Sequence, residues 1–363
     1  MATLPHMHGG NLRAAAEKYG IAISDLIDFS ANINPLGPST KALEAIRNSL
    51  DRVAHYPDPD CLELRRALAE YIRLPLENII MGNGAVELIF ILMHVLKPQA
   101  VLIPAPTFGE YEAAAISAGC QIKSLPLNRE ENFLLNVDQV VNTLKNVDAV
   151  FICNPNNPTG QLTGRAELEY IIREARKKNV WVIVDEAFID FLAEKTLYSV
   201  MDLIKRYENL FILYSLTKFH ALPGLRLGAG LGNRSLVSKM MSHKDPWNVN
   251  VLAQIAGVAS LKDEKYMQDT VNMVQKEKLY LYEQLKKIAG LHPYPPSANY
   301  VFVDVSKTGR TSTEITEMMG KKGILVRDCS SYKNLGCGYI RVAVRKRDDN
   351  NMLLQALPET VNL

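Results

Sequence analysis

From residue 81 to residue 230, short apolar runs rich in β-branched residues alternate with amphipathic segments. Five runs predict strands, because each is too short for a helix and most end in polar, proline or glycine residues. These runs cover residues 101–103, 149–153, 180–184, 210–214 and 225–228. The segments 109–118 and 166–178 have helical spacing. The alternation predicts parallel strands joined by right-handed helical crossovers, which bring the loops after the strands to one edge of a sheet.

Later in the chain the pattern changes to longer helical stretches, including one at 262–288. Two further strands are predicted at 300–304 and 339–343, with an amphipathic helix at 312–322 between them. We therefore expect an α/β protein, with a large domain whose mostly parallel sheet is sandwiched by helices and a smaller α+β domain. The expected divisions are an N-terminal arm at 1–50 that packs with the small domain, the large domain at 51–248 and the small domain at 249–363.

Composition narrows the class of protein. The length of 363 residues exceeds the usual size of one hydrophobic core, which agrees with two domains. Apolar residues make up 47% and charged residues 22% of the chain, and its net charge of +2 gives no reason to expect nucleic acid or an anionic membrane as a partner. No signal-peptide pattern or long apolar window is visible, so we expect a cytoplasmic protein.

Neither a disulfide framework nor a metal site is indicated. The five cysteines are scattered and contain no C-x-x-C pair. His6 and His8 could ligate a metal, but a third ligand is not apparent in the sequence. We therefore expect reduced thiols and no bound metal.

Polar residues follow several predicted strands, at the point where each strand ends. Asn157 lies in the loop after strand 149–153, Asp185 comes directly after strand 180–184, and Lys218 comes four residues after strand 210–214. A pyridine aldehyde cofactor needs such a lysine amine, a carboxylate at its ring nitrogen and donors for its phosphate. A carboxylate at the end of a buried strand needs a cationic partner, and a pyridinium would supply one.

Donors for a phosphate are present nearby in the sequence. Ser215, Thr217 and Arg226 offer two hydroxyl groups and a guanidinium. Gly84 and Ala85 open a predicted helix, whose first backbone N–H groups are free to bind an anion.

The motifs at these positions place the chain in a known superfamily. Asn-Pro-x-Asn-Pro-Thr-Gly at 154–160, Asp-Glu-Ala at 185–187 and Ser-x-x-Lys…Gly-x-Arg-x-Gly at 215–228 occur in the order and spacing of the fold-type I enzymes that use pyridoxal 5′-phosphate (PLP). The chain thus resembles the class I/II aminotransferase superfamily, which includes aspartate aminotransferase. This resemblance implies the PLP-dependent transferase fold, PLP as the cofactor and a homodimer.

The resemblance also assigns roles. Lys218 would form the Schiff base, Asp185 would pair with the pyridine nitrogen, and Asn157 would bond the 3-oxygen of the ring. Phe108 would stack on the ring, and Tyr56 would reach the phosphate in the neighbouring subunit. The residues implied to hold the phosphate within the subunit are Gly84, Ala85, Ser215, Thr217 and Arg226.

Within the superfamily, His8-Gly-Gly-Asn11, the segment 28–37 and the segment 215–228 look like the threonine-phosphate decarboxylases of cobalamin biosynthesis. The implied reaction converts L-threonine O-3-phosphate into 1-aminopropan-2-ol O-phosphate. The related histidinol-phosphate aminotransferases are the alternative; they have tyrosine where this chain has Phe188, and phenylalanine cannot donate a hydrogen bond. His220 also departs from the tyrosine expected at its position.

The substrate itself is implied to be a small phosphorylated amino acid that is gripped at both ends. Arg341 would hold the carboxylate as a bidentate fork. Arg327 is the first choice for the substrate phosphate, by analogy with the histidinol-phosphate enzymes. The further candidates for this substrate site are His8, Asn32 and Arg345.

Other interpretations stay open at this point. Asp185 could cap a helix, Asn157 could form a turn, Phe108 could simply pack, and Arg341 could form a salt bridge between domains. A non-catalytic PLP-binding regulatory module is disfavoured, because the first fifty or so residues lack a basic helix-turn-helix pattern. Three short motifs also match the penicillin-recognising serine enzymes, but the second and third are too close together and a signal peptide is lacking. These motifs are at 215–218, 297–299 and 307–309.

Overall fold

The structure is a computed structural model that describes residues 9–361. In this range the chain forms thirteen α-helices and thirteen β-strands. The helices are α1 (Leu12–Tyr19), α2 (Thr40–Arg47), α3 (Leu62–Ile72), α4 (Ala85–Leu96), α5 (Glu110–Ser117), α6 (Val137–Thr143), α7 (Arg165–Arg176), α8 (Leu216–Phe219), α9 (Arg234–Met241), α10 (Val251–Leu261), α11 (Glu264–Leu285), α12 (Ser312–Lys321) and α13 (Arg347–Val361). The strands are β1 (Ile27–Asp28), β2 (Ile79–Gly82), β3 (Ala100–Ala105), β4 (Gln121–Pro126), β5 (Ala149–Cys153), β6 (Trp181–Asp185), β7 (Leu210–Ser215), β8 (Gly228–Gly232), β9 (His292–Pro293), β10 (Tyr300–Asp304), β11 (Ile324–Leu325), β12 (Arg327–Asp328) and β13 (Tyr339–Ala343).

A seven-stranded sheet forms the centre of the larger part of the molecule. Its strand order is β2-β8-β7-β6-β5-β3-β4, and β8 runs antiparallel to both of its neighbours. The inner strands are buried along almost their whole length. Their side chains alternate between two hydrophobic clusters, one beneath α3, α7 and α10 and the other beneath α4, α5 and α9. A parallel sheet buried on both faces explains why these strands read as continuous runs of valine, isoleucine and leucine.

The predicted strand at 225–228 is wrong, because β8 begins only at Gly228. Arg226 has φ of +57°, in the left-handed region, which interrupts an extended run. In the antiparallel β8, Gly228 pairs with Gly82 at the end of β2 and with Ser215 at the end of β7. The start of β8 therefore lies at the edge of the sheet where its neighbours end, and the turn before β8 belongs to that edge.

Two strands of this sheet were not predicted from the sequence. β2 is short and entirely buried, and a four-residue apolar run cannot be assigned by periodicity alone. β4 lies at the edge of the sheet with its side chains exposed or half-buried, so it lacks the apolar run that marks the inner strands. The predictions for β5, β6 and β7 are confirmed to within one residue.

The C-terminal part contains a second, antiparallel sheet. Its order is β12-β13-β10-β9. Helices α11, α12 and α13 cover one face, where their leucine, isoleucine and methionine side chains join the valines of β10 and β13 in one core. The short parallel pair β1 and β11 connects the N-terminal region to this part of the chain. The α/β fold class is confirmed, whereas the residue boundaries of the domains stay a prediction.

Two further findings concern the described residues alone. No helix in this range has both the length and the apolar character needed to cross a membrane. Between residues 9 and 361 there is also no group of three histidine, cysteine, aspartate or glutamate side chains that could hold a metal ion. His6 and His8 lie outside the described residues.

The contact between β8 and the start of α4 leads to a stability prediction. A Cβ atom on Gly228 would lie 2.3 Å from the backbone nitrogen of Ala85, so Gly228→Ala must push the two elements apart. We expect the free energy of unfolding to fall by about 2–3 kcal/mol, as for other overpacked sites, in chemical denaturation. Gly224→Ala is the control, because no heavy atom lies within 4 Å of its added Cβ. Equal denaturation midpoints for the two variants would contradict this account.

Candidate active site

The predicted catalytic residues lie at the ends of neighbouring strands of the large sheet. Asp185 is the last residue of β6, Lys218 lies in α8 directly after β7, and Asn157 lies in the loop after β5. Cys153, at the end of β5, pairs in register with Asp185. Because the carboxyl ends of parallel strands share one edge of the sheet, these side chains converge on the crevice where α/β proteins bind ligands.

The carboxylate of Asp185 is buried and held by two donors. It accepts a hydrogen bond from the Tyr111 hydroxyl at 2.6 Å and one from the backbone N–H of Ala187 at 2.9 Å. Burial raises the pKa of Asp185 above its usual range, while both hydrogen bonds and the positive charge of Lys218 act to lower it. The two donors orient the carboxylate but bring no positive charge, so a cationic group next to it would be strongly favoured.

Tyr111 is a site residue that the sequence analysis missed. It lies on α5, is fully buried, and stacks on Phe151 with ring centres 4.7 Å apart and planes 8° from parallel. Local sequence gives no signal for it, because its contact with Asp185 joins residues 74 positions apart in the chain. The ring of Phe108 packs edge-on against Tyr111, at 5.6 Å between ring centres, and is half-buried at the same edge of the sheet.

The amine of Lys218 has an altered acidity. Burial, together with the positive charges of Arg341 and Arg226, lowers its pKa to about 8, against an opposing effect of Asp185. A lysine with such a pKa is partly neutral near physiological pH and can act as a nucleophile or exchange a proton. The amine of Lys218, the carboxylate of Asp185 and both guanidinium groups are thus close enough for their charges to affect one another.

An anion site lies where α4 begins. Gly84 has φ of +82° and precedes the first turn of this helix, whose backbone N–H groups are free to bind an anion. A Cβ on Gly84 would lie 2.7 Å from Nη2 of Arg226, so the guanidinium packs against the open face of the glycine. The hydroxyl of Thr217 donates to the carbonyl of Leu227 at 3.1 Å, and Ser215 Oγ accepts from the backbone N–H of Thr217 at 3.2 Å. The serine hydroxyl therefore keeps its own proton to donate.

Arg341 is a buried cation next to Asn157. It is only 5% exposed, donates through Nη1 to Asn157 Oδ1, and donates through Nη2 to the carbonyl of Ser30 at 2.7 Å. Within residues 9–361 its Nε has no hydrogen-bond partner and the guanidinium forms no ion pair. The alternative of a salt bridge between domains is therefore not realised in the described part of the chain, and the guanidinium is suited to an incoming carboxylate.

Arg327 is the second buried cation of the site. It is 8% exposed and donates to Ser331 Oγ at 3.1 Å, and it too has no ion pair among the described residues. Its guanidinium carbon lies 5.3 Å from the ring centre of Tyr332. Together with Phe108, both side chains line a cleft that opens beside the sheet edge.

The other substrate candidates differ in their surroundings. Asn32 is buried, and its Oδ1 has no partner within the described range. Arg345 forms an ion pair with Asp349 at 2.9 Å, so it is already neutralised. His8 lies outside the described residues. Their roles at the substrate stay predictions, and the structure favours Asn32 over Arg345.

Tyr56 lies at the surface of the subunit. It is 78% exposed and stacks on Trp247, with ring centres 4.5 Å apart. An exposed position agrees with the predicted contact to a neighbouring subunit, which stays a prediction.

The two positions that depart from related enzymes are both buried. Phe188 packs edge-on against Tyr300, at 5.1 Å between ring centres. His220 is fully buried, neither ring nitrogen has a partner in the described range, and burial lowers its pKa to about 4. At neutral pH His220 is therefore an uncharged packing residue.

The chemistry of this site fits PLP. The buried carboxylate of Asp185 suits the ring nitrogen, the amine of Lys218 suits the aldehyde, and the cradle of Gly84 and Arg226 suits the phosphate. Arg341, which has no ion pair among residues 9–361, is suited to a second anion beside them. Each need of the cofactor is met by a different element, and all of these elements meet at one edge of the sheet.

Comparison with known sequences agrees with this assignment. The family model described as aminotransferase class I and II matches residues 24–357. The threonine-phosphate decarboxylase of Salmonella typhimurium strain LT2 is 37% identical over 359 residues, which cover 98% of this chain and 97% of that protein. The histidinol-phosphate aminotransferase of Methanococcus aeolicus is 33% identical over 361 residues, which cover 98% of this chain and 96% of that protein.

Solved structures show the same architecture. The histidinol-phosphate aminotransferase from Clostridium acetobutylicum superimposes with a TM-score of 0.86 at 31% identity, covering 92% of this chain and 98% of that one. The histidinol-phosphate aminotransferase from Sinorhizobium meliloti in complex with pyridoxal-5′-phosphate gives a TM-score of 0.88 over 99% of this chain and 97% of that one. At 19% identity, the second likeness shows the fold alone.

The lowered pKa of Lys218 predicts a pH-dependent stability of the coenzyme-free protein. The amine loses its proton at pH about 8 when folded but at about 10.5 when unfolded, so between these values the unfolded chain binds more protons and stability rises with pH. Lys218→Met should therefore be more stable than the wild type by about 2–3 kcal/mol at pH 7, and the difference should shrink towards pH 10.5.

Urea denaturation at pH 7, 8.5 and 10 would measure this difference. Lys239→Met is the control, because Lys239 is an exposed residue of α9. A difference between Lys218→Met and the wild type that does not change with pH would contradict the assigned cause.

Proposed function

This chain belongs to the class I and II aminotransferase family of PLP-dependent enzymes, and we propose that it decarboxylates L-threonine O-3-phosphate to 1-aminopropan-2-ol O-phosphate in cobalamin biosynthesis. The observation that carries the proposal is the pair of buried arginines, Arg327 and Arg341, neither of which has a counter-ion among the described residues. Two unpaired cations suit a substrate with two anions, a phosphate and a carboxylate. We further propose that the enzyme works in the cytoplasm.

The alternative within the family is a histidinol-phosphate aminotransferase. The Methanococcus aeolicus protein with that name is 33% identical to this chain, compared with 37% for the Salmonella decarboxylase. Histidinol phosphate carries no carboxylate, so in its half of a transamination Arg341 would stay unpaired. The presence of Phe188 also favours the decarboxylase, since a phenylalanine cannot donate to the 3-oxygen of the coenzyme as the tyrosine of the aminotransferases would.

Each site residue has a defined task in this proposal. Bound PLP supplies an electron sink for the electron pair that remains when a bond at the substrate α-carbon breaks. Asp185, oriented by Tyr111, would face the ring nitrogen with its carboxylate, and Asn157 would present its amide to the 3-oxygen. Gly84 and Arg226, with Ala85, Ser215 and Thr217, would hold the coenzyme phosphate. Phe108 would pack against the face of the ring.

The substrate is held so that one bond is selected. Arg341 would fix the carboxylate and Arg327 the phosphate, which together set the direction of the bond between the α-carbon and the carboxylate. When this bond breaks, carbon dioxide leaves and the electron pair of the broken bond stays with the α-carbon. The amine of Lys218, with a pKa near 8, then delivers a proton to the α-carbon from Nζ.

A direct test follows the fate of the substrate carboxyl carbon. We expect the PLP-loaded wild type to release labelled carbon dioxide from carboxyl-labelled O-phosphothreonine. Arg327→Gln should lower kcat/KM by about 100-fold, because a desolvated charge-assisted contact is lost, but should change the slow turnover of L-threonine little. The control is Arg206→Gln, an exposed arginine paired with Glu169 on the surface. No carbon dioxide, together with transamination of histidinol phosphate by 2-oxoglutarate, would favour the alternative.

We also propose that the enzyme is a homodimer in which Tyr56 binds the phosphate in the neighbouring subunit. Tyr56 and Trp247 form an exposed aromatic pair, and Leu50 and Val53 nearby in the sequence are exposed as well. We expect light scattering to give the mass of two chains and Tyr56→Phe to weaken PLP binding by about tenfold, because one hydrogen bond to a charged group is lost. Tyr170→Phe, at another exposed tyrosine, should change neither the mass nor the affinity for PLP. A monomer with unaltered PLP affinity would contradict both parts.

A further inference from the structure

One side chain in the cleft contacts three predicted site residues and has no role in the mechanism above. The hydroxyl of Tyr332 donates to Asn157 Oδ1 at 3.3 Å and accepts from Nη1 of Arg341 at 3.4 Å. The guanidinium carbon of Arg327 lies 5.3 Å from the centre of the Tyr332 ring. Tyr332 therefore stands between the two cations that the proposed function assigns to the ends of the substrate.

We propose that Tyr332 is a positioning residue that determines specificity, because it fixes the separation of Arg327 and Arg341. Arg327 and Arg341 are cross-strand partners on β12 and β13, so their side chains leave the sheet side by side, and the phenol of Tyr332, with only two torsions, contacts both guanidinium groups and holds them at a set distance. The pair then accepts a substrate whose phosphate and carboxylate are joined by a short chain. The inference rests on the proposed function, from which the roles of both arginines come.

The backbone around Tyr332 is held from several directions. The N–H of Tyr332 donates to the carbonyl of the buried Cys329 at 3.0 Å, and the N–H of the buried Leu335 donates to the carbonyl of Tyr332 at 3.3 Å. The next residue, Lys333, forms an ion pair with Glu112 of α5 at 3.1 Å across the cleft. The ring position is thus set by the fold before a substrate arrives.

The two ends of the side chain act on different arginines. The hydroxyl orients Nη1 of Arg341 and, through the shared Asn157 Oδ1, the group that faces the 3-oxygen of the coenzyme. The face of the ring attracts the guanidinium of Arg327 through its π electrons. Removing the hydroxyl alone should therefore affect the carboxylate end, whereas removing the ring should affect both ends.

The experiment compares Tyr332→Phe with Tyr332→Leu in the PLP-loaded enzyme. The probes are L-threonine, which has a carboxylate but no phosphate, and 1-aminopropan-2-ol O-phosphate, which has a phosphate but no carboxylate. Dissociation constants come from the change in coenzyme absorbance on binding. We expect Tyr332→Phe to weaken the binding of L-threonine by about 3- to 10-fold and the binding of the phosphate probe by less than about twofold. Tyr332→Leu should weaken the binding of both probes by about 5-fold or more.

Tyr280 offers a matched control pair. The guanidinium carbon of Arg347 lies 3.5 Å from the centre of its ring, and its hydroxyl donates to Asn351 Oδ1 at 2.6 Å. Tyr280 lies on α11, however, and both of its partners lie on α13. Tyr280→Phe and Tyr280→Leu should leave the affinities for both probes unchanged. They remove the same kinds of contact from a place that the site does not use.

The outcomes separate this inference from the proposed function. The proposed role of Tyr332 is wrong if Tyr332→Phe weakens the binding of both probes equally or of neither. It is also wrong if Tyr332→Leu leaves the binding of the phosphate probe unchanged. Both conclusions hold even when the wild type releases carbon dioxide. If the two probes respond differently as expected but the wild type releases no carbon dioxide, the spacer role holds and the proposed reaction is wrong.

Discussion

The active site depends on the free-energy cost of burying two opposite charges, those of Asp185 and Lys218, at one edge of the large sheet. Asp185 ends β6 and Lys218 follows the adjacent strand β7, and both are largely removed from water. Burial acts against the ionised form of each, raising the pKa of the carboxyl and lowering that of the amine. The hydrogen bonds from Tyr111 and Ala187 keep the carboxylate in place without adding charge. Bound PLP would resolve this conflict, because its protonated ring nitrogen would pair with the carboxylate of Asp185 and its aldehyde would react with the amine of Lys218.

Positive charge is distributed around that centre in three places. Arg226 lies against Gly84 at the anion site, while Arg341 and Arg327 lie buried without counter-ions in the described part of the chain. Unpaired buried guanidinium groups cost folding free energy, so their presence indicates ligands that the folded protein is built to receive. Their separation then becomes a means of selecting substrates, and Tyr332 is the side chain in a position to set it.

Local sequence carried enough information to predict the fold class and the convergence of Asn157, Asp185 and Lys218. Each of these residues follows a strand whose apolar run is visible in a single stretch of sequence, and parallel strands bring their ends together. The contacts that hold the site could not be predicted in this way. Tyr111 reaches Asp185 across 74 residues and Tyr332 reaches Asn157 across 175, so these pairs exist only after the tertiary structure forms. The reversal of β8, which brings Arg226 to the same edge, likewise depends on pairing with β2 and β7.

The central claim is that the amine of Lys218 carries the coenzyme. Borohydride reduction of the PLP-loaded protein, followed by digestion and peptide mass spectrometry, locates the coenzyme on one lysine. We expect the pyridoxyl group on Lys218. Lys278 is the sharpest internal comparison, because burial lowers its pKa to about 8 as well, yet its Nζ donates to the carbonyl of Ser297 at 2.6 Å. A label on Lys278, or one spread over exposed lysines, would contradict the account.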